Sequence, residues 1–159
     1  MTRLLQQWLS REAERRPEAI ALVYGSERVT YAELERASNR LARVLRELGC
    51  EKGDRVCFLI PKSPAAIISL LGIMKADCAH VPLDTASPAP RLARIVESCE
   101  PRFILAGGSS SSSIESLLDQ VQTTNPVRIG WMGTRGAGRA GVKAEFSLEE
   151  INAESSEPV

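Results

Sequence analysis

The sequence has little of what metal, redox and nucleic-acid sites are usually built from. It contains one histidine, four cysteines without a CxxC spacing, and only 4% aromatic residues. A zinc site is therefore disfavoured, and reduced thiols in a cytoplasmic protein are expected. The 20 basic and 20 acidic residues cancel, so neither charge nor aromatic stacking favours nucleic acid as a partner.

Long apolar runs and a signal peptide are not apparent either. No uncharged stretch is longer than 12 residues, the length of residues 63–74. This is too short to cross a bilayer, so no membrane partner is expected. Residues 3–15 predict an amphipathic helix with Leu5, Trp8 and Leu9 on its apolar face, unlike the unbroken core of a signal peptide. With 159 residues, 43% hydrophobic and 25% charged, the chain is large enough for one soluble domain.

Residues 74–84, Met-Lys-Ala-Asp-Cys-Ala-His-Val-Pro-Leu-Asp, join an apolar helix to a short strand. Pro82 cannot donate a ladder hydrogen bond, so the strand should end close to it. Asp84 then follows the carboxyl end of a strand, where a parallel sheet exposes its loops. Asp84 is the residue that we consider as a candidate for lining a shared cleft.

The residues before this segment predict a β-hairpin followed by a helix. Strands over 19–24 and 27–30 flank a two-residue turn in which Gly25 supplies a positive φ. Thr30 and Glu33 form a capping-box pattern, and leucines at helical spacing then continue to Gly49. The charged residues between these leucines predict a solvated helix face.

From residue 55 onward the pattern alternates between strands and helices. Strands are predicted over 55–60, 79–83, 102–106 and 127–132. Helices are predicted to begin at Ser63-Pro64, at Ser87-Pro88 and at Ser112, whose side chain would pair with Glu115 in a capping box. This order predicts an α/β fold: a mostly parallel sheet with helices on both faces, preceded by a helix and a β-hairpin.

Composition divides the chain near residue 132. Residues 1–132 are assigned to the α/β subdomain. Residues 133–159 are rich in glycine, alanine and charge, and are predicted to form a flexible polar tail with a short helical patch at 147–151.

Four features suggest chemistry, and each has a simpler interpretation. Residues 136–141 match the GxGxxG spelling of a dinucleotide site, but no convincing helix follows, so a surface loop is favoured over NAD binding. Residues 107–113, Gly-Gly and five serines, could offer N–H groups to a phosphate. However, no lysine follows and Glu115 would repel an anion, so a flexible loop is expected.

His80 lacks the G-x-S-x-G turn of a hydrolase, and core packing is expected for Cys57, Cys78 and Cys99. No catalytic, cofactor-binding or metal-binding residue is assigned.

Two segments of the sequence resemble motifs of a known enzyme family. Residues 29–34, Val-Thr-Tyr-Ala-Glu-Leu, and residues 74–84 are similar to two motifs of adenylate-forming enzymes, most of all the amino-acid adenylation domains of nonribosomal peptide synthetases. Residues 41–49, 53–56, 61–64 and 88–92 extend the resemblance over about residues 4–106. The sequence departs from the second motif at four positions, with Asp77 in place of glycine, His80 in place of tyrosine, Thr85 in place of proline, and Cys78 in place of a small residue.

The resemblance implies an ATP- and Mg²⁺-dependent ligase that activates a carboxylic acid, expected to be an amino acid, as acyl-AMP. The acyl group would pass to CoA or to the phosphopantetheine thiol of a carrier protein. The family's phosphate-binding loop would begin after residue 159, so this chain is expected to bind no cofactor by itself and to be inactive alone.

The expected partner is the remainder of the enzyme or a complementing chain. A sheet cut in mid-fold leaves an edge or a face uncovered, and self-association or poor solubility would follow. The alternatives are a non-catalytic interaction module derived from the same fold, and a fragment of an acyl- or aryl-CoA ligase.

Overall fold

A computed structural model describes residues 4–133, 142–153 and 156–157. The helices are α1 Leu5–Arg15, α2 Tyr31–Glu47, α3 Pro64–Lys75, α4 Ala89–Cys99, α5 Ser111–Leu118 and α6 Leu148–Ala153. The strands are β1 Ile20–Tyr24, β2 Glu27–Thr30, β3 Arg55–Leu59, β4 Ala79–Pro82, β5 Phe103–Ala106, β6 Ile129–Trp131 and β7 Phe146–Ser147. None of the helices among the described residues is long and apolar enough to cross a membrane.

The main sheet has the strand order β4-β3-β5-β6-β7, and every neighbouring pair is parallel. β1 and β2 form a separate antiparallel hairpin in which Tyr24 pairs with Glu27 and Gly25 has a φ of 59°. The predicted α/β class, with a helix and a hairpin ahead of a parallel sheet, is confirmed.

Alternating side chains divide the core into one layer on each face of the sheet. Val56, Phe103 and Leu105 pack against α2 and α3, whereas Cys57 and Ile104 pack against α4 and α5. This two-residue alternation follows from the pleat of each strand, whose successive side chains point to opposite faces. Both faces are covered, which is why β3 and β5 are apolar along most of their length.

Two of the predicted helix starts have the expected caps. The Thr30 hydroxyl accepts from the Glu33 N–H at 3.2 Å, and the Glu33 carboxylate accepts from the Thr30 N–H at 2.8 Å. The Ser63 hydroxyl accepts from the Ala66 N–H at 3.3 Å, with Pro64 in the first turn of α3.

Other details of the helices differ from the prediction. α5 begins at Ser111, so three of the five serines belong to its first turn, and the Ser112–Glu115 capping box does not form. These serines adopt a helical backbone because the apolar residues Ile114 and Leu117 bury the inner face of α5. The apolar sequence of α3 predicts deep burial, but Ile67 is 37% exposed.

The structure adds a strand within the segment predicted to be a flexible tail. Phe146–Ser147 pairs with Gly130 and Trp131 as β7, and α6 follows with Ile151 buried against the α2 face. The Ser147 hydroxyl donates to the Glu150 carboxylate at 2.9 Å. α6 overlaps the helical patch expected at 147–151 and is packed on the sheet.

Candidate functional site

The strand order places a candidate ligand site at the carboxyl ends of β3 and β5. The chain moves from β3 to β4 on one side, and then returns through α4 to β5 on the other side. α3 packs on one face of the sheet, whereas α4 and α5 pack on the opposite face. In open α/β sheets, ligands bind at the carboxyl edge where the strand order reverses in this way. We refer to this place, between the β3–α3 and β5–α5 turns, as the switch point.

Two glycines bring the β5–α5 turn close to its neighbours. A Cβ on Gly107 would lie 2.9 Å from the Met132 carbonyl oxygen, and Gly108 has a φ of 62° with Pro61 beside it. The buried Ser110 hydroxyl accepts from the Gly107 N–H at 3.1 Å and donates to the Gly107 carbonyl at 2.8 Å. The turn is thus closed by its own hydrogen bonds, so the Gly107 amide is already used inside the protein.

The β3–α3 turn forms the other wall of the switch point. The Ser63 hydroxyl donates to the Pro61 carbonyl at 2.9 Å while it caps α3. Lys62 is exposed between them. This turn therefore offers one solvated cation at the carboxyl edge, held on a short and well-bonded loop.

A hollow of about 230 Å³ lies beside the switch point, between the first turns of α4 and α5. Its lining is uncharged and carries several hydroxyl groups: Ser87, Ala89, Leu92, Ser112, Ser113 and Ser116. Serine hydroxyls can orient a polar ligand through hydrogen bonds, but they cannot neutralise a polyphosphate.

Asp84 lies at the carboxyl end of β4 and is exposed. Its carboxylate accepts from the Ala86 N–H at 3.0 Å and from the Ser87 hydroxyl at 3.4 Å. These bonds form the Asx turn that leads into α4. Asp84 is therefore a turn-forming residue one strand away from the switch point, and its role in lining a shared cleft stays a prediction.

With this geometry established, comparison with known proteins assigns the family. Residues 9–155 match the family described as AMP-binding enzyme. The chain belongs to the AMP-binding enzyme family. The resemblance that rested on residues 29–34 and 74–84 is confirmed, and it reaches beyond residue 106, where the sequence motifs ended.

Known members of this family are similar to the chain in sequence and in structure. Surfactin synthase subunit 2 of Bacillus subtilis (strain 168) is 36% identical over 119 residues, which are 75% of this chain. The N-terminal domain of FACL13 from Mycobacterium tuberculosis has a TM-score of 0.82 at 26% identity over 99% of this chain. The nonribosomal peptide synthetase FmoA3, in a form bound to α-methyl-L-serine-AMP, has a TM-score of 0.70 at 28% identity over 91% of it.

These relatives are much longer than this chain. The chain spans 3% of the surfactin synthase subunit, 38% of the FACL13 chain and 16% of the FmoA3 chain. Membership of an adenylate-forming ligase family is thus shown, while the activity of the whole enzyme belongs to the proposal below.

The family implies ATP and Mg²⁺ as bound groups. Within residues 4–133, 142–153 and 156–157, no three His, Cys, Asp or Glu side chains come together as a metal site. The β5–α5 turn is closed by Ser110, and the adjoining hollow is uncharged. These residues do not fit a magnesium-bound triphosphate, so no step of catalysis is assigned to them.

His80 lies in the edge strand β4, opposite Val56, and is exposed. Cys57 and Cys78 are buried and Cys99 is partly buried, as expected for core packing. The GxGxxG spelling at 136–141 lies outside the described residues.

One buried polar cluster was not predicted. Lys75 Nζ lies 2.6 Å from a Glu35 carboxylate oxygen and donates to Asn39 Oδ1 at 2.6 Å, and Ser10 donates to Glu35 at 2.8 Å. The Lys75 and Glu35 side chains are only 7% and 14% exposed, so Glu35 does not lie on the predicted solvated face. Burial lowers the pKa of Lys75, and the hydrogen bond to Glu35 opposes this effect.

This polar cluster lies at a junction of three helices. It joins α1, α2 and α3 at the C-terminal end of α3, which is the amino edge of the sheet and therefore opposite to the switch point. The only sequence signal was Lys75 at the end of an otherwise apolar helix. Its partners Glu35 and Asn39 lie on α2, about 40 residues earlier in the sequence.

Proposed function

We propose that the chain forms part of an ATP-dependent adenylate-forming ligase that activates an amino acid as acyl-AMP for transfer to a thiol. The observation that supports this most is the match of residues 9–155 to the AMP-binding family, together with a parallel sheet that has a glycine-bearing switch point. The amino acid is proposed because the relatives include peptide synthetases, and the similar FmoA3 structure contains an amino-acyl adenylate. The proposed acceptor is the phosphopantetheine thiol of a carrier protein, with CoA as the alternative.

The contribution of these residues is proposed to be the scaffold of the nucleotide site. Polyphosphate chemistry depends on positioning and on neutralising charge. The β5–α5 turn is closed by Ser110, and the hollow beside it is uncharged. The groups that grip the phosphates are therefore proposed to come from other parts of the enzyme, and the chain is proposed to be inactive alone.

The proposed partner is the remainder of the adenylation enzyme, in the same polypeptide or as a complementing chain. A groove of about 230 Å³ between the hairpin and α3 is lined by Val23, Tyr24, Pro64 and Ile67, among others. Val23 is 59% and Tyr24 is 54% exposed. The FACL13 domain is similar over 99% of this chain and is more than twice as long. That domain therefore contains further residues that can cover such a groove, and we propose the same for the enzyme to which this chain belongs.

A chimeric enzyme tests this proposal. This chain would replace the matching N-terminal segment of an amino-acid adenylation domain, and amino-acid-dependent pyrophosphate–ATP exchange would be measured for the chimera and for the chain alone. We expect exchange only from the chimera. Gly107→Val in the chimera should abolish exchange because its side chain collides with the Met132 carbonyl. Gly25→Asn serves as the matched control, because a Cβ on Gly25 meets no described atom within 4 Å.

A non-catalytic module derived from this fold is the second candidate. It is favoured by the same uncharged lining of the hollow between α4 and α5. A chimera that folds, binds ATP and yet shows no exchange would support this second function over the first. Exchange by the unaided chain would contradict both.

A further inference from the structure

Cysteines that are far apart in the sequence meet in the fold. Cys57 Sγ and Cys99 Sγ are 3.6 Å apart, although the two residues are 42 positions apart in the chain. Cys57 lies in the middle of the central strand β3 and is fully buried, while Cys99 is the last residue of α4 and is partly exposed. Both thiols are free in the structure.

We propose that Cys57 and Cys99 form a reversible oxidation site, which a hydroperoxide converts into an intramolecular disulfide between β3 and α4. This site does not depend on the ligase activity proposed above. It needs two neighbouring thiols, one of which solvent can reach, and a small movement that brings the sulfur atoms together.

The required movement is small and falls on the more adjustable partner. A disulfide bond is about 2 Å long, so the two sulfur atoms must approach by about 1.5 Å. β3 is held by both β4 and β5, whereas Cys99 ends its helix and is followed by Glu100 with a φ of 42°. The Cys99 thiol is held by a contact with the Val96 carbonyl at 3.7 Å, which a side-chain rotation can exchange for the new bond.

The two thiols take different steps of the reaction. The more accessible Cys99 thiolate attacks the peroxide, the O–O bond breaks, and a sulfenic acid and one water form. The Cys57 sulfur then attacks the Cys99 sulfur and releases a second water. In sum, two thiols lose two hydrogens and two electrons, and one hydrogen peroxide is reduced to two waters.

The second step is expected to be slow at neutral pH. Burial raises the pKa of the Cys57 thiol, and the neighbouring Cys99 raises it further. Only the thiolate attacks. Cross-linking should therefore accelerate from about pH 7 to about pH 9 as the Cys57 thiolate becomes more populated.

The other two cysteines provide an internal comparison. Cys50 and Cys78 are both buried, at 6% and 8% exposure. The Cys78 thiol lies 3.5 Å from the Ala76 carbonyl and 3.6 Å from the Glu51 carbonyl, to which it can donate. A hydrogen bond with Cys50 lowers the pKa of the Cys78 thiol, but both thiols are buried. Neither offers peroxide the access that Cys99 does, so this pair should react later.

Peptide mapping tests the proposal directly, because trypsin places each cysteine in its own peptide. The folded chain would be treated with hydrogen peroxide, alkylated, digested without reductant and analysed by mass spectrometry. We expect residues 56–62 to be linked to residues 95–102, with a loss of about 2 Da for the intact chain that dithiothreitol reverses. Circular dichroism before and after treatment confirms that the chain stays folded.

Cysteine variants test which thiols form the cross-link. Cys99→Ala should abolish the cross-link, and the double variant Cys50→Ser, Cys78→Ser should retain it. At about pH 9, where the second step is faster, and with stoichiometric hydrogen peroxide, accumulation of Cys99 sulfinic acid beside an unmodified Cys57 in the folded wild-type chain would overturn the proposal. So would a first cross-link that joins Cys99 to Cys50 or Cys78.

Discussion

Phe146 lies over Gly130, its partner across the β6–β7 ladder, in the space that a side chain would otherwise fill. A Cβ at position 130 would come within 2.6 Å of Phe146 Cε2 and 2.8 Å of Leu105 Cδ2. The Phe146 ring also packs against Phe103, with the ring centroids 5.7 Å apart. The last strand can therefore join the sheet because the strand beside it has no side chain at this point.

The first prediction follows from this contact. Gly130→Ala should lower the free energy of unfolding by about 1–3 kcal/mol, because the new methyl group overpacks a rigid core. Urea denaturation monitored by tryptophan fluorescence would measure the change. In the double variant Gly130→Ala, Phe146→Leu, the combined loss should be smaller than the sum of the single losses, because the smaller side chain makes room for the methyl group.

A matched glycine provides the control for this prediction. A Cβ on Gly25 would meet no atom of the described residues within 4 Å, and the φ of 59° at this position is one that asparagine tolerates. Gly25→Asn should therefore change the free energy of unfolding by less than about 0.5 kcal/mol. Equal losses from the two variants would show that the Gly130 contact is not the cause.

The same contact explains why β7 was not predicted from the sequence. A two-residue strand shows no periodicity, and its pairing depends on a glycine that lies 16 residues earlier. By contrast, the hairpin around Gly25 and the Thr30–Glu33 capping box were predictable, because their determining residues are neighbours in the chain. Local chemistry predicted most element boundaries to within a few residues.

Contacts between distant elements were beyond prediction for the same reason. Glu35 falls on the charged side of the α2 pattern, and only the positions of α1 and α3 bury it against Lys75. The first serines of α5 have the composition of a loop, and the burial of Ile114 makes them helical. At the candidate site, the switch point follows from strand order, which the β-α alternation restricts but does not determine.

The second prediction concerns the departure from the family motif at Asp77. This residue has a φ of 58° at the end of α3, where glycine carries no steric penalty. Asp77→Gly should raise the free energy of unfolding by about 0.5–1 kcal/mol, because relief of the left-handed backbone exceeds the loss of an exposed ion pair with Arg46. Thermal denaturation would measure the gain.

Two companion variants separate the backbone effect from the ion pair. Glu100 has a φ of 42° at the end of α4, so Glu100→Gly should also stabilise the fold. Asp77→Ala removes the ion pair but keeps the strained backbone, and should give no gain. Stabilisation by Asp77→Ala as large as that by Asp77→Gly would contradict the explanation.

The third prediction is a pH dependence that arises where β6 begins. Arg128 donates to the Glu145 carboxylate, with Nε 2.7 Å from Oε1, and this hydrogen bond lowers the pKa of Glu145. A carboxylate whose pKa is lowered in the folded state stabilises the fold above its unfolded pKa of about 4.3. This contribution is lost as the pH falls further, through the folded pKa.

Glu145→Gln should therefore flatten the acid limb of the stability curve below about pH 4.3. The side chain is 38% exposed, so solvent limits the effect to about 1 kcal/mol or less. Arg128→Gln should remove the same acid dependence and cost more at every pH, because Arg128 also donates to the Leu48 carbonyl at 2.8 Å. An unchanged acid limb in both variants would refute the assignment.

The last prediction tests whether the buried pair of Lys75 and Glu35 holds α1, α2 and α3 together. Lys75→Met should lower the free energy of unfolding by about 3 kcal/mol, because it leaves the Glu35 carboxylate buried beside an apolar side chain. The exposed Lys62→Met is the matched control and should change it by less than about 0.5 kcal/mol. Adding Glu35→Gln to Lys75→Met should recover much of the loss, since a neutral amide can still accept from Ser10. If Lys75→Met costs no more than Lys62→Met, the pair does not stabilise this junction of helices.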